Sequence, residues 1–340
     1  MIVIDGAMGE GGGQIVRSAL ALSLVTGKPF VIRNIRAARK KPGLARQHLA
    51  AANAAAIVGR GELRGNELGS LELEFYPGRV TGGSFRFDIG SAGSTTLVLQ
   101  TVLPALLTAD HPSTIDLVGG THNPLAPPFD FLAESFLPIV NRMGPEISLS
   151  CDRRGFFPRG GGRLRAEIRP ADRLRPQDLL HRGPILRKNA LAIVAGLPTH
   201  IAKRELQVVR DRMAWQQEDC QPIEDREALG PGNVLLLQVA GESVTEVFSG
   251  FGKKGVPAEK VAAETVQEAL HYLAAGVPVG RRLADQLLLP FALAGGGRFL
   301  TLPLSGHART NIEVIRKFLD IDIRSIESAK GCEVLLSRDT

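Results

Sequence analysis

Three stretches of this chain share one plan, and that repetition limits the fold more than any single motif does. SLVTGKPFVIRNIR from Ser23, ALLTADHPSTIDLVGG from Ala105 and FALAGGGRFLTLPLSG from Phe291 each close an apolar helix, turn, and enter a short apolar strand. The turns are made of Gly or Asp with Pro or Gly, residues that accept a reversed or solvated backbone and so end the helix. Each strand leads through a loop to a second helical pattern, at 44–58, 129–143 and 309–319. In the last of these, Ile312, Ile315, Phe318 and Leu319 fall on one face. Strand signals with partial period-two alternation lie between the repeats, at 70–76, 83–88 and 162–168. The repeating order is strand, helix, strand, helix, then more strands. Three copies predict an α/β (α+β) domain in which helices cover sheets.

The region from 183 to 276 interrupts the scheme. It reads as a strand (190–195), a helix (200–215), two strands (233–239 and 243–248) and a final helix (258–274). Its edges, Arg182-Gly183-Pro184 and Gly276-Val277-Pro278, are rich in chain-breaking residues. A smaller α/β domain inserted at 183–276, with 1–182 and 277–340 forming the large domain, is the expected division, and 340 residues suit two cores better than one.

Composition narrows the function classes. With 44% apolar and 22% charged residues the chain is of ordinary globular type. Its net charge of +6 suits an anionic partner such as a nucleotide or nucleic acid. Cys151, Cys220 and Cys332 are far apart, odd in number and form no CxxC pair, which argues against a disulfide framework or a structural zinc site. A reducing, cytoplasmic setting is expected. The start, MIVIDGAMGEGGGQ, lacks a basic and then apolar leader pattern and reads as mature protein. The uncharged stretch 89–109 carries Gly, Ser, Thr, Gln and Pro and reads as a buried helix with its preceding turn, not a membrane span.

Chemistry is sought in the loops that follow the second strand of each repeat. They hold Arg36, Arg39, Lys40 and Lys41 in the first, Thr121, His122, Asn123 and Pro124 in the second, and Ser305, Gly306, His307 and Arg309 in the third. Equivalent loops of related units are expected to converge on one site. Ahead of the first helix, expected to begin near Ile15, runs Gly9-Glu10-Gly11-Gly12-Gly13-Gln14. Such a run is either a tight turn or a place where backbone N–H groups approach a phosphate. It lacks the Lys-Ser/Thr of a P-loop and the spacing of a dinucleotide fingerprint. Glu10 could hold a divalent metal, and Gln14 and Arg17 could reach phosphate oxygens. Arg36 and Arg39 read as a solvated basic loop or as a phosphate clamp, which Gln47 could join. Among seven histidines none forms a compact metal set. His307 stands out because it follows an apolar strand and a Ser-Gly, ahead of a helix; a neutral imidazole there is a competent nucleophile toward phosphorus.

DGAMGEGGGQIVRSALALS, GSAGSTTLVLQ, GGTHNPLAPPFDF, FPRGGG and SGHARTNI, in this order from Asp5 to about Leu319, resemble the signature segments of the RNA 3′-terminal phosphate cyclases. The resemblance implies three βαβαββ units with an inserted smaller α/β domain. It implies ATP as co-substrate, Mg2+ or Mn2+, and an RNA with a 3′-phosphate end, which becomes a 2′,3′-cyclic phosphate through histidine-bound AMP and an RNA(3′)pp(5′)A intermediate. Residue by residue it implies His307 as nucleophile and Glu10 as metal ligand. Gln14, Arg17, Arg36, Arg39, Gln47 and Gln100 match phosphate-contacting positions, and Pro127, Phe131 and Asp285 match the adenosine pocket. At Arg282 the sequence departs from the family, which carries a tyrosine that stacks on adenine; a guanidinium plane can stack on a base as well. Two other readings compete. Cyclase-like binding proteins lack the nucleophilic histidine that is present here, and enolpyruvyl transferases use more copies of the unit than three.

Overall fold

The computed structural model describes residues 1–329 and 331–338; positions 330, 339 and 340 of the expected 277–340 segment lie outside the described residues. The first unit comprises β1 (Ile2–Asp5), α1 (Gly13–Thr26), β2 (Phe30–Arg33), α2 (Arg46–Val58), β3 (Glu62–Arg64) and β4 (Leu73–Tyr76). The second comprises β5 (Ser84–Asp88), α3 (Thr95–Leu106) and β6 (Ser113–Gly119), then α4 (Phe129–Phe131), a π-helical turn (Leu132–Phe136) and α5 (Leu137–Arg142), then β7 (Glu146–Arg153) and β8 (Gly162–Arg169). The third opens with β9 (Asp178–Leu179) and is then interrupted by β10 (Ile185–Ala195), α6 (His200–Met213), β11 (Cys220–Asp225), β12 (Gly232–Gly241), β13 (Thr245–Phe251) and α7 (Ala258–Ala275). It resumes with α8 (Arg281–Leu293), β14 (Gly296–Thr301), α9 (Gly306–Phe318), β15 (Asp322–Ser328) and β16 (Gly331–Ser337).

Each unit folds to the same four-stranded sheet, with orders β1-β2-β4-β3, β5-β6-β8-β7 and β9-β14-β16-β15. In each, the first two strands run parallel and the remaining pairings are antiparallel. A parallel pair demands a crossover, and that is what the first helix of each unit supplies. The mixed α/β class and the three repeated units expected from the sequence are therefore present. Helix α1 packs against α2, α3 and α9, and α3 is buried on nearly all sides, so α1 and α3 join helices of all three units in one core.

The inserted strands form a fourth sheet, β11-β10-β12-β13, in which alternation sends side chains to two cores. Ala190, Ala192, Val194, Leu235 and Leu237 pack within the insert, which α6 and α7 complete. Ile193, Ala195, Val234 and Leu236 join the core of the three units. The insert is further tied to α8, whose N-cap residue Gly280 donates its N–H to the buried carboxylate of Glu246, and Tyr272 Oη donates to Pro278 O at 3.1 Å.

Some elements were not evident from the sequence. Strand β11, CQPIED, carries a proline and little apolar character; it sits at the sheet edge, parallel to β10, where a missing N–H is tolerated. Strand β10 begins at Ile185, ahead of the expected residue 190, because its polar first half pairs with β12 outside either core. Strands β3 and β9 are too short to show a period. The expected buried helix in 89–109 is α3, and among the described residues no helix is long and apolar enough to cross a membrane.

Candidate active site

A cleft of about 1120 Å³ opens where the three units meet the insert. Each unit contributes through the loop after its second strand: Arg36 and Arg39 after β2, Pro124 to Pro128 after β6, and Ser305 and His307 after β14. The glycine run adds Gly12 and Gly13, and α1 adds Gln14 and Arg17. Gln47 on α2, Gln100 on α3, Phe131 on α4 and Arg282 and Asp285 on α8 complete the sequence-derived set along the walls. Glu10 joins through His307, whose Nε2 lies 2.9 Å from the Glu10 carboxylate.

Close backbone approach makes that meeting possible. Gly306 packs so tightly on Glu10 that a Cβ there would sit 2.4 Å from a carboxylate oxygen, and Gly9, at φ +53°, leaves no room for a side chain beside Thr310. Glu10 N–H donates to Thr310 Oγ1 at 3.2 Å, which docks the glycine run on α9. The sequence had set His307 ahead of the helix. It stands instead in the first turn of α9, because Ser305 Oγ accepts the Ala308 N–H at 3.0 Å and starts the helix at Gly306.

Behind His307 runs a chain of amides and one carboxylate. Its Nδ1 lies 3.0 Å from Gln14 Oε1; Gln14 Nε2 donates to Asp285 Oδ1 at 2.7 Å; Gln286 Nε2 donates to Asp285 Oδ2 at 3.0 Å; and Gln100 donates to Gln286. A carboxylate accepts and an amide NH2 donates, so Asp285 turns the Gln14 carbonyl toward the ring. Nδ1 must then carry a proton, which leaves Nε2, the atom facing the cleft and Glu10, as the site of any lone pair. Burial pushes the Asp285 pKa up, against the Gln14 bond and the charges of His307 and Arg17. Asp285 is held further by Asn311, which donates to its carbonyl at 3.3 Å and accepts from Ser18 Oγ at 2.7 Å. Gln286, Asn311 and Ser18 were missed in the sequence; Gln286, beside Asp285 on α8, was the one with a local signal.

The basic residues are poised for an anion. Arg17 has no hydrogen-bond partner among the described residues, and desolvation brings its pKa down to about 10 despite the attraction of Asp285. A guanidinium so placed gains most from a phosphate. Arg36 donates to Gly43 O at 2.7 Å, and its pKa is lowered by burial and then by repulsion from Arg39. Arg39 donates to Glu10 O at 2.8 Å. Arg282 is engaged, donating to Glu268 at 2.9 Å and to Ser249 Oγ at 3.2 Å, both in the insert. In the second loop His122 turns away from the cleft and is buried between Asp130, at 2.7 Å, and Thr121, at 2.8 Å; it anchors the loop that carries Pro127.

His48, which nothing in the sequence distinguished, lies in the cleft wall beside these arginines. Its Nδ1 accepts the Ala45 N–H at 3.0 Å. Burial, then the charges of Arg17 and Arg36, lower its pKa from 6.5 to about 3. Between those values the unfolded chain binds a proton that the folded one refuses, so stability falls as pH drops through this window, by up to about 1.4 kcal/mol per unit. In His48→Asn, which keeps an acceptor for Ala45, urea midpoints measured from pH 6.5 to 4 are expected to fall less steeply than in the wild type. Parallel slopes would remove His48 as the cause.

Comparison with known proteins adds an independent line. A family model described as RNA 3′-terminal phosphate cyclase matches residues 8–325. A protein of that name from Koribacter versatilis is 51% identical over 337 residues, covering 99% of this chain and 95% of the relative. One from Pseudomonas fluorescens is 52% identical over 325 residues, covering 96% and 94%. A third, from Salmonella enteritidis, is 47% identical over 337 residues, covering 99% of each.

Proposed function

The chain belongs to the RNA 3′-terminal phosphate cyclase family, and from that premise we propose that it uses ATP to convert an RNA 3′-phosphate into a 2′,3′-cyclic phosphate through AMP bound to His307. The observation that carries the residue assignment is the His307–Gln14–Asp285 chain, which leaves Nε2 as the nucleophilic atom at the mouth of a cleft lined with arginines. In the first step Nε2 attacks the α-phosphorus of ATP and the bond to pyrophosphate breaks. A 3′-phosphate oxygen of the RNA then attacks the same phosphorus, breaks the N–P bond and gives RNA(3′)pp(5′)A. In the third step the neighbouring 2′-hydroxyl attacks the 3′-phosphorus, loses its proton and expels AMP. Adenylylation makes the phosphate oxygen a good leaving group, and tethering of the 2′-hydroxyl lowers the barrier by as much as about 7–11 kcal/mol.

Arg17, Arg36 and Arg39 would take the ATP phosphates, with Gln47 and Gln100 beside them, while Pro127, Phe131, Arg282 and Asp285 would border the adenosine. Among the described residues no group of three or more His, Cys, Asp or Glu gathers at one point. Glu10, a half-exposed carboxylate at the site, fits a hard cation such as Mg2+ or Mn2+ that takes one protein oxygen and completes its shell with phosphate and water. Such an ion would neutralise phosphate charge. Glu10 and a neutral Nε2 cannot face each other at 2.9 Å without a proton between them. Three free thiols, at Cys151, Cys220 and Cys332, suit a cytoplasmic location.

The test is incubation with α-labelled ATP and Mg2+, then a denaturing gel. Acid-labile label on the protein, chased off by RNA bearing a 3′-phosphate but not a 3′-hydroxyl, is the expected result. Absence of label with every metal and nucleotide tried would leave the fold in place and favour a binding protein.

A further inference from the structure

Part of the cleft lining belongs to the insert, and its chemistry points to a second ligand. The volume of about 1120 Å³ exceeds the roughly 300–1,000 Å³ of a small-molecule pocket. The cations of the first unit, at Arg17, Arg36 and Arg39, are enough for one triphosphate. The insert lines the same cleft with Phe251 at the end of β13, Lys253 in the following loop and Lys260 in the first turns of α7.

Both lysine side chains are exposed, and neither ammonium group has a hydrogen bond or ion pair among the described residues. The nearby acids are otherwise committed: Glu259 holds Arg204 through two bonds of 2.6 Å, and Glu268 holds Arg282 at 2.9 Å. Glu264 is the exposed acid left on this wall, and it makes no ion pair with Lys260. Between the lysines, α7 starts at Ala258 behind Pro257, which offers no side-chain cap, so its partial positive charge, offset in part by Glu259, adds to theirs. Unpaired cations beside a half-buried aromatic ring form the combination that tracks a single-stranded nucleic acid, with phosphates on the cations and a base on the ring.

We propose that this edge of the insert, Phe251 with Lys253 and Lys260, binds the phosphate backbone of single-stranded RNA just 5′ of the reacting end. The inference rests on the cyclase reading for its ligand. Labour is then divided across the cleft, since the three units hold and activate ATP and the insert presents the RNA end to His307.

The experiment uses the full chain with Lys253→Gln and Lys260→Gln combined, checked for a wild-type unfolding midpoint. Binding of a fluorescent 3′-phosphorylated oligoribonucleotide is titrated at several salt concentrations, and labelling by α-labelled ATP is followed without RNA. Expected are a rise of about tenfold or more in the RNA Kd and a fall of about 1.4 in the slope against log salt, for two lost single-strand contacts. The rate of labelling and its ATP dependence should stay within twofold. An unchanged RNA Kd overturns the proposal. So does a raised ATP requirement with RNA affinity intact, which would give the lysines to the triphosphate. Failure of the wild type to take label would count against the adenylylation reading, while the RNA titration would still decide this surface.

Discussion

His307→Ala is expected to lose covalent labelling from α-labelled ATP by on the order of 10³-fold or more while unfolding at the wild-type temperature. Removing a nucleophile removes the step, not just a contact, and such losses greatly exceed those of neighbouring groups. Stability should barely move because the His307 side chain is 50% exposed and its partners are polar. Glu10 and Gln14 lose a hydrogen-bonding neighbour, yet both border an open cleft where water replaces it. Labelling retained in the variant would transfer the nucleophile to another residue; labelling lost together with a lowered midpoint would reduce the result to misfolding.

Gln14→Leu should slow labelling by roughly 10²–10⁴-fold, the span associated with a correctly placed proton-transfer partner. Leucine roughly keeps the volume but removes both ends of the amide. Nδ1 then loses the acceptor that fixes its proton, so the ring can place its proton on Nε2, where the lone pair is required. Asp285 keeps Gln286 as a donor, which limits the damage to one of its oxygens. A lower rate with unchanged ATP dependence is the signature of this role. A raised ATP requirement at full rate would instead assign Gln14 to phosphate contact, the part first read for it from the sequence. A rate within threefold of wild type with the same ATP dependence would dispose of both.

The repeated sheets were legible because Gly, Pro and Asp punctuate each helix-to-strand turn, and the punctuation survives wherever side chains drift. Short strands such as β9 were not legible, since two residues cannot display a period. Edge strand β11 was hidden by its proline and polar residues, which only its place at the rim explains. At the site, single residues with exposed chemistry in glycine-flanked loops, Glu10 and His307, could be picked out. Residues that act by orientation were either read for another part, as Gln14 and Asp285 were, or not read at all. Gln286 and Asn311 matter through bonds to Asp285, and His48 through burial among arginines, relations that exist only once helices from different units touch. Arg282 was placed in the cleft, but its tether to Glu268 and Ser249 depends on where the insert docks.

The bond between Gln14 and His307 joins positions 293 residues apart, and β9 must wait for β14 across the whole insert before its sheet can form. A chain growing from its N-terminus therefore presents Arg17, Arg36 and Arg39 long before His307 is made. A copy that ends before α9 lacks His307, so on the proposed reading it takes no label from ATP. The cleft is complete only once the third unit has been made, since Asp285, His307 and Asn311 all come from it.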